Sequence, residues 1–320
     1  MYLINDLEYN VISLPYDQGY RHLRVLSGYV SPIFIERVLE TYRSLHLEII
    51  LGMVANAGLA VWQHRAFVEL MNQYSDRLEI FYHVEQPSNN SKVYHWYDNV
   101  LTSRVFVGSA NFTRNGFGRQ REVLVESTFS NIDDIFRKLT VVRCDDLDIE
   151  GQVRFYNALP SRIVIPTHNE HDEPTIVEIL STPTHNYTDY VVLTLIDRSG
   201  QVPARSGLNW GQREGRDPNQ AYLSVSQSIH QERPDFFPNL AEPFIMITDD
   251  GENLVCVMAQ QNRKAIHSRG NNSILGSYFR RRLGLNDGEF VTVEDLQKYG
   301  RNNVRIYKID EETYYMDFSV

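Results

Sequence analysis

The sequence has few cysteines and no long apolar run. Its two cysteines, Cys144 and Cys256, lie far apart in the 320 residues, which indicates free thiols in a reducing compartment. No stretch approaches the ~18 apolar residues of a membrane-spanning helix. The first residues also lack the basic start and apolar core of a secretory signal. We therefore expect a cytoplasmic protein with no membrane partner.

An excess of positive charge is also missing. The formal net charge of −10 argues against non-specific nucleic-acid binding over the whole surface. Residues 253–286 nevertheless contain no Asp or Glu. Their cations are Arg263, Lys264, Arg269, Arg280, Arg281 and Arg282. Such a stretch suits a surface that meets phosphate, although a solvated charged loop would have the same composition.

The first half of the chain alternates strand and helix patterns. Ser31-Pro32 provides an N-cap and a proline suited to a first helical turn. The predicted strands cover 22–29, 47–54, 78–84, 92–97, 104–108 and 122–126, and the predicted helices cover 33–45, 61–74 and 131–139. Helical crossovers followed by short connections predict an α/β mixed-sheet sandwich.

A proline-punctuated stretch from Cys144 to about Asn186 separates the two halves. It predicts a domain at 1–165, a linker at 166–186 and a second domain at 187–320. Three histidines of this stretch, His168, His171 and His185, match no zinc-site spacing, so we predict no metal. The second half indicates an all-β domain, with strands at 190–195, 221–225, 244–248, 254–259, 290–293 and 305–309.

Polar residues adjoin three of the predicted strands. Lys92 begins one strand, Ser109 and Asn111 follow the next, and Glu122 begins the third. Donors at the end of an apolar strand lie where α/β sheets place ligands, so these residues form a candidate phosphate site. A Gly-Ser-x-Asn sequence is also common in turns, and a lone lysine is usually solvated.

These residues resemble the signature of the phospholipase D superfamily, His-x-Lys followed by Gly-Ser-x-Asn. The NgoFVII type of restriction nuclease is most similar, because its second part usually reads as residues 108–113 do here, Gly-Ser-Ala-Asn-Phe-Thr. The resemblance implies a phospholipase D-like fold and catalytic roles for Lys92, Ser109, Asn111 and Glu122. The position of the nucleophilic histidine is occupied by Asn90, and that of the family's aspartate by Tyr97.

Residues 206–213, Ser-Gly-Leu-Asn-Trp-Gly-Gln-Arg, are similar to the start of the recognition domain of NgoFVII-type enzymes. That likeness implies a B3-like pseudobarrel whose two arms grip the major groove. The arms would be 205–216 and 260–272, rich in Asn, Gln and Arg, which make two-point contacts with base edges. The candidate DNA-binding residues are Arg205, Asn209, Trp210, Gln212, Arg213, Arg216, Gln261, Asn262, Arg263, Lys264, Arg269 and Asn271. Trp210 could pack on a sugar or belong to the core.

The resemblance implies a type II-like restriction endonuclease that cuts double-stranded DNA at a specific site. Family members hydrolyse the phosphodiester through a phosphohistidine and need no metal or other cofactor. A chain with one signature copy pairs with a second copy, so a homodimer through the N-terminal domain is expected. NgoFVII-type enzymes also resemble systems that use ATP through a separate ATPase or translocase subunit.

Asn90 leaves the activity open, because an amide cannot form a phosphohistidine. Either Asn90 is an engineered inactivating change or the natural protein has lost hydrolysis. In the second case the chain would be a sequence-specific DNA-binding protein without catalysis. A phospholipid-processing enzyme is a third, less favoured interpretation. A gel shift with duplex DNA, compared with vesicle binding, separates these functions.

Overall fold

A computed structural model of the chain describes residues 2–98, 103–128, 131–156 and 189–320. The chain divides into two compact units, Met1–Ala158 and Leu159–Val320. Each unit buries its own hydrophobic core. The predicted linker at 166–186, with its three histidines, lies outside the described residues. Within the described part of the chain, no helix has the length and apolar character needed to cross a membrane.

The first unit is built on an eight-stranded sheet with the order β1-β8-β7-β6-β2-β3-β5-β9. Two further strands, β4 and β10, form a separate parallel pair. The strands are β1 Tyr2–Leu3, β2 His22–Ser27, β3 His46–Leu51, β4 Leu59–Ala60, β5 Leu78–His83, β6 Lys92–Tyr97, β7 Arg104–Gly108, β8 Leu124–Ser127, β9 Val141–Arg143 and β10 Phe155–Tyr156.

The sheet is mixed, as the sequence predicts. β2, β3 and β5 run parallel to one another because helical crossovers connect them. β6, β7 and β8 follow with short connections and pair antiparallel. The α-helices of this unit are α1 Leu14–Asp17, α2 Pro32–Thr41, α3 Val54–Ala57, α4 Val61–Gln73 and α5 Asp133–Arg137, and single π-helical turns cover Tyr9–Ser13 and Asn115–Arg119.

The two faces of this sheet are covered unequally. On one face α2 and α4 bury the larger core, which includes Phe34 and Phe67. The Ser31 hydroxyl caps α2 by accepting a bond from the Phe34 N–H, as predicted. On the other face the short helix α5 covers a smaller core through Ile132 and Phe136. The outer strands β8 and β1 contribute no residue to this smaller core, so α5 leaves them uncovered on this face.

The second unit is a seven-stranded sheet with the order β11-β16-β17-β13-β14-β15-β12. Its two end strands, β11 and β12, approach each other, so the sheet forms a nearly closed barrel. β13 and β17 pair in parallel, and the other pairs are antiparallel. The strands are β11 Tyr190–Thr194, β12 Leu223–Ser224, β13 Pro243–Thr248, β14 Asn253–Ala259, β15 Ala265–Ser268, β16 Asn303–Lys308 and β17 Thr313–Asp317.

The all-β prediction for this unit is wrong in part, because helices accompany the barrel. They are α6 Gln227–Glu232, α7 Ser273–Leu283 and α8 Val293–Tyr299, with 3₁₀ turns at Gly207–Gln212 and Gln261–Arg263. The strand predicted at 290–293 is absent. The Thr292 hydroxyl instead accepts a bond from the Asp295 N–H, and the Asp295 carboxylate accepts from the Thr292 N–H. This reciprocal capping box starts a helix.

The interpretation of 253–286 as one phosphate-facing surface is also wrong. Arg280 is fully buried in α7. Arg282 pairs with Asp249 at 2.7 Å, a bond that raises the pKa of Arg282. Arg281 bonds Asp250 and Glu252. The compensating acids lie just before the acid-free stretch in sequence, and the fold returns α7 to them.

Candidate functional site

The predicted catalytic residues lie at one edge of the first unit's sheet. Lys92 pairs with Gly108 across β6 and β7, and Gly108 pairs with Leu124 across β7 and β8. The first residue of β6 therefore lies beside the end of β7 and the start of β8. A Cβ on Gly108 would lie 2.0 Å from the Val123 carbonyl oxygen, so glycine permits this close approach of β7 and β8.

Asn90 and Lys92 are bonded to each other. The Lys92 ammonium donates at 2.7 Å to the backbone carbonyl of Asn90 and at 2.7 Å to its side-chain Oδ1. Partial burial lowers the pKa of Lys92, and the nearby carboxylate of Glu122 opposes this effect. An ammonium has three donors, so these two bonds leave Lys92 one donor for a further oxygen.

Ser109 and Glu122 form a second pair. The Ser109 hydroxyl donates to the Glu122 carboxylate and accepts from the Val123 N–H at 3.0 Å. Asn111 accepts at its Oδ1 from the Tyr29 N–H at 3.3 Å. Because that oxygen is engaged, the amide N–H₂ group of Asn111 is the part that can donate to a phosphate.

Ser27 and Gly28, at the end of β2, were not predicted from the sequence to belong to the site. The buried Ser27 hydroxyl accepts from the Phe112 N–H at 3.0 Å and lies 3.3 Å from Asn111 Oδ1. It therefore ties the Gly-Ser-Ala-Asn turn to the central strand. A Cβ on Gly28 would lie 2.2 Å from Asn90 Oδ1, so Gly28 leaves the space that the side chain at position 90 occupies. The Ser27-Gly28 dipeptide after an apolar strand is the only signal in the sequence.

Two other histidines near this sheet are engaged elsewhere. The His83 ring is buried and bonds the Thr140 carbonyl at 3.0 Å. The His95 ring lies 3.1 Å from the Ser103 hydroxyl, and burial lowers its pKa. His95 is three residues from Lys92 on β6, so its side chain points to the opposite face of the sheet.

A cavity of about 400 Å³ adjoins the Ser109–Glu122 pair. It is lined by Ile4, Asn5, Ser109, Arg121, Glu122 and Val123. Around it lies an apolar patch, defined here as Tyr2, Ile4, Val123 and Val125, which are 68%, 57%, 40% and 38% exposed. Tyr2 pairs directly with Val125, so both side chains share the sheet face that α5 leaves open.

The structure divides the candidate DNA-binding residues of 205–216 into two groups. Asn209 is buried, and its amide donates to the Val291 carbonyl and accepts from the Val291 N–H. Gln212 donates to the Gly288 carbonyl at 3.0 Å. The exposed residues are Arg205, Arg213 and Arg216. Asn209 and Gln212 thus hold this segment to the barrel through their amide N–H₂ groups.

Trp210 belongs to the core and also supports an exposed residue. It is 9% exposed, and its ring lies against His267 at a centroid distance of 4.9 Å. The Arg216 guanidinium lies 4.0 Å from the centre of the Trp210 ring. The Arg216 Nη1 also donates to Gln220 Oε1 at 2.9 Å.

The second segment presents a tightly held turn between β14 and β15. Gln260, Asn262 and Arg263 have φ values of 62°, 62° and 55°, a left-handed conformation that costs energy for residues other than glycine. The Arg263 side chain holds the turn by donating to the carbonyls of Pro234, Phe237 and Pro238. The exposed candidates here are Gln261, Asn262, Lys264 and Asn271, whereas Arg269 is half-buried. Arg263 is therefore an anchor of the turn.

The described ranges of the chain contain no metal-binding cluster. No group of three or more His, Cys, Asp or Glu side chains there is placed to hold a metal ion. Both cysteines are buried free thiols, and burial raises the pKa of each to about 12.

Comparison with known proteins identifies both units. Residues 5–152 match the NgoFVII restriction endonuclease N-terminal PLD domain. Residues 184–310 match the NgoFVII C-terminal B3-like DNA-binding domain. No curated protein matches the chain.

Two solved structures are similar to part of the chain. NucT from Helicobacter pylori is 16% identical over 43% of this chain and 88% of its own, with a TM-score of 0.27. Polyphosphate kinase from Porphyromonas gingivalis is 12% identical over 42% of this chain, with a TM-score of 0.29, and the match spans only 21% of that kinase. The assignment therefore rests on the two domain matches. The chain belongs to the NgoFVII restriction endonuclease family, with a phospholipase D-type nuclease domain followed by a B3-like DNA-binding domain.

Proposed function

We propose that this chain has the architecture of the subunit that recognises and cleaves DNA in a site-specific, metal-independent endonuclease, with Asn90 at the position of its nucleophile. Its N-terminal domain is built to hydrolyse a phosphodiester, and its C-terminal domain chooses the sequence. The observation that carries the proposal is the common sheet edge, where Lys92, Ser109 and Asn111 lie with position 90. Plasmid cleavage in EDTA by an Asn90→His variant, compared with the Asn90 form, tests it.

The proposed reaction has two displacements. An imidazole at position 90 attacks phosphorus, and the departing sugar oxygen takes a proton from the imidazole of a second subunit. Water then hydrolyses the phosphohistidine, which divides one difficult displacement into two easier ones. Lys92 and Asn111 donate to the phosphate oxygens, where preorganised donors stabilise the transition state. The Ser109 hydroxyl joins them when its single hydrogen turns from Glu122 to the phosphate. We assign to Glu122 the orientation of an imidazole, since it is the carboxylate of the cluster.

The Asn90 form lacks the nucleophile. Its carboxamide is held by the Lys92 ammonium at 2.7 Å and cannot carry a phosphoryl group through the reaction. We therefore propose that this form binds DNA without cutting it. The codon of the natural gene at this position distinguishes an inactivated endonuclease from a natural DNA-binding protein.

We further propose that two copies associate through the apolar patch. The motive is that one chain carries one signature, whereas the reaction uses two imidazoles. The patch is exposed, and it adjoins the cavity beside Ser109 and Glu122. Introducing Ile4→Asp together with Val123→Asp should convert a dimer of the full chain into a monomer, because burying two carboxylates in an apolar interface is costly. Light scattering at high micromolar concentration measures the change.

Leu147 gives a matched control for this experiment. It is 98% exposed and follows β9, at the opposite end of the sheet from β1. Leu147→Asp should leave the dimer intact. A monomeric unmodified chain would reject the dimer, and a dimer that survives both patch substitutions would place its interface elsewhere.

The second domain alone should bind duplex DNA with sequence preference. Arg213 and Asn262 are exposed on the two segments, so Arg213→Ala and Asn262→Ala should each relax the preference by about 1–3 kcal/mol if they contact bases. Dissociation constants of residues 187–320 for a selected and a scrambled duplex, at one fixed salt concentration, measure this difference.

Lys298→Ala is the control for these variants, because Lys298 is exposed on α8, outside both segments. The ratio of its dissociation constants for the selected and the scrambled duplex should equal that of the unmodified domain. Equal affinity of the unmodified domain for all duplexes would reject the recognition role.

A further inference from the structure

The two recognition segments meet in an aromatic cluster next to Arg216. The aromatic cluster comprises Trp210, Tyr222 and His267, whose rings meet edge-on or tilted. The Trp210 and Tyr222 rings have centroids 5.5 Å apart, those of Trp210 and His267 are 4.9 Å apart, and those of Tyr222 and His267 are 5.7 Å apart. Trp210 belongs to the first segment and His267 to the second. Each segment therefore supports the other.

Arg216 lies against the Trp210 ring of this aromatic cluster. Its guanidinium is 4.0 Å from the Trp210 ring centre, close enough for a cation–π contact, and Nη1 is fixed by Gln220 Oε1 at 2.9 Å. Arg216 is nevertheless exposed, and a guanidinium has five donors, so the bond to Gln220 leaves others for a base. A flexible arginine loses rotamer freedom when it binds a base, and holding it in one position in advance reduces that cost.

His267, another member of the aromatic cluster, contacts the turn between β14 and β15. Gln260 Nε2 and His267 Nε2 are 3.5 Å apart, and Gln260 belongs to the left-handed turn that Arg263 anchors. The position of Arg216 and the shape of this turn are thus linked through Trp210 and His267. Neither ring needs to touch DNA to affect recognition.

We propose that Arg216 is a guanine-reading residue and that Trp210 and His267 are positioning residues that hold it in place. A rigid arginine fork matches guanine O6 and N7 in the major groove, which is the commonest base-specific contact. The inference rests on the proposed function, since it assigns a base preference to the DNA-binding domain.

The test is selection by the full chain from a pool of duplexes with a randomised core. The unmodified chain should enrich a sequence that contains guanine at a defined position. Arg216→Gln should lose roughly five- to a hundredfold of the preference for that guanine while the other positions keep theirs. Arg305→Gln is the matched control, because Arg305 is exposed and lies 5.9 Å from the Tyr190 ring on a strand outside both segments.

Substitutions of Trp210 test the positioning role. Trp210→Phe keeps an aromatic face and should retain most of the preference, whereas Trp210→Leu keeps the apolar contact and should lose it. The thermal midpoint of each variant identifies a merely structural effect, which would lower stability and affinity for all duplexes together. If Trp210→Leu does not fold, His267→Leu replaces it, with the same expected loss.

The outcomes are distinct. Selection of no sequence by the unmodified chain would overturn the proposed function, and the inference with it. Selection of the same guanine by Arg216→Gln would overturn the inference alone. Equal weakening for every duplex would make Arg216 a phosphate contact, which also contradicts the inference.

Discussion

Replacing Asn90 with histidine is expected to produce plasmid cleavage in EDTA at least about a thousandfold faster than the Asn90 form, because loss of a nucleophile removes most of a catalytic unit's rate enhancement. The substitution supplies the missing imidazole, which can be nucleophile in one subunit and proton donor in the other near neutral pH. Lys92, Ser109 and Asn111 remain where the structure has them, so no other change is needed. The assay compares both forms, with and without any ATPase subunit encoded beside the gene.

Gly28→Ala in the Asn90→His background is the sharpest control. A methyl group at Gly28 would lie where the side chain at position 90 lies, so it should abolish the gained cleavage. DNA affinity should be unchanged, because Gly28 lies in the other domain. An inactive Asn90→His variant under all conditions would indicate that the donors are misplaced and that the chain is a binder. Robust cleavage by the Asn90 form would move the nucleophile elsewhere, and His83 and His95 would be tested next.

The second large effect is expected at Arg280. Its guanidinium is fully buried and donates to the carbonyls of Glu289 at 2.7 Å, Gly276 at 3.3 Å and Leu208 at 3.3 Å. Burial lowers the pKa of Arg280, so the charge is kept at a cost. Arg280→Met removes three hydrogen bonds from a charged donor, each contributing about 1.5–3 kcal/mol. The free energy of unfolding should fall by about 3 kcal/mol or more.

Urea unfolding of residues 187–320 measures this loss, and Trp210, the one tryptophan in that range, reports it. Arg281→Ala is the control. Arg281 is an exposed neighbour on the same helix whose ion pairs lie at the surface, and such pairs contribute about 1 kcal/mol or less. Equal losses for the two variants would mean that the Arg280 bonds do not stabilise the barrel.

The sequence predicts the first domain well where local patterns are strong. β6 and β7 have the predicted bounds, because each is a short apolar run between turn residues. The N-cap of α2 is also local and was predicted correctly. The sequence could not reveal that Ser27 supports the Gly-Ser-Ala-Asn turn, because Ser27 and Asn111 are 84 residues apart and the link is one hydroxyl.

The second domain was harder to predict because its arginine side chains bond partners that are distant in sequence. Arg280, Arg281 and Arg282 look alike in sequence, yet one is buried on carbonyls and two bond acids before β14. Helix α7 combines buried apolar positions with these arginines, so its pattern resembles a charged loop. The start of α8 has a local signal in the sequence, because Thr292 and Asp295 have the spacing of a capping box. The strand prediction at 290–293 overlooked this signal.

Trapping the covalent intermediate shows whether position 90 is the site of the nucleophile in this nuclease domain. The full-length Asn90→His chain is incubated with end-labelled duplex DNA in EDTA and quenched in alkali, which preserves a phosphohistidine. A nucleophile at position 90 should give a labelled protein whose label maps to the peptide containing residue 90, and no label on the Asn90 form. Cleavage by Asn90→His with no labelled protein, or with the label on another peptide, would contradict this assignment.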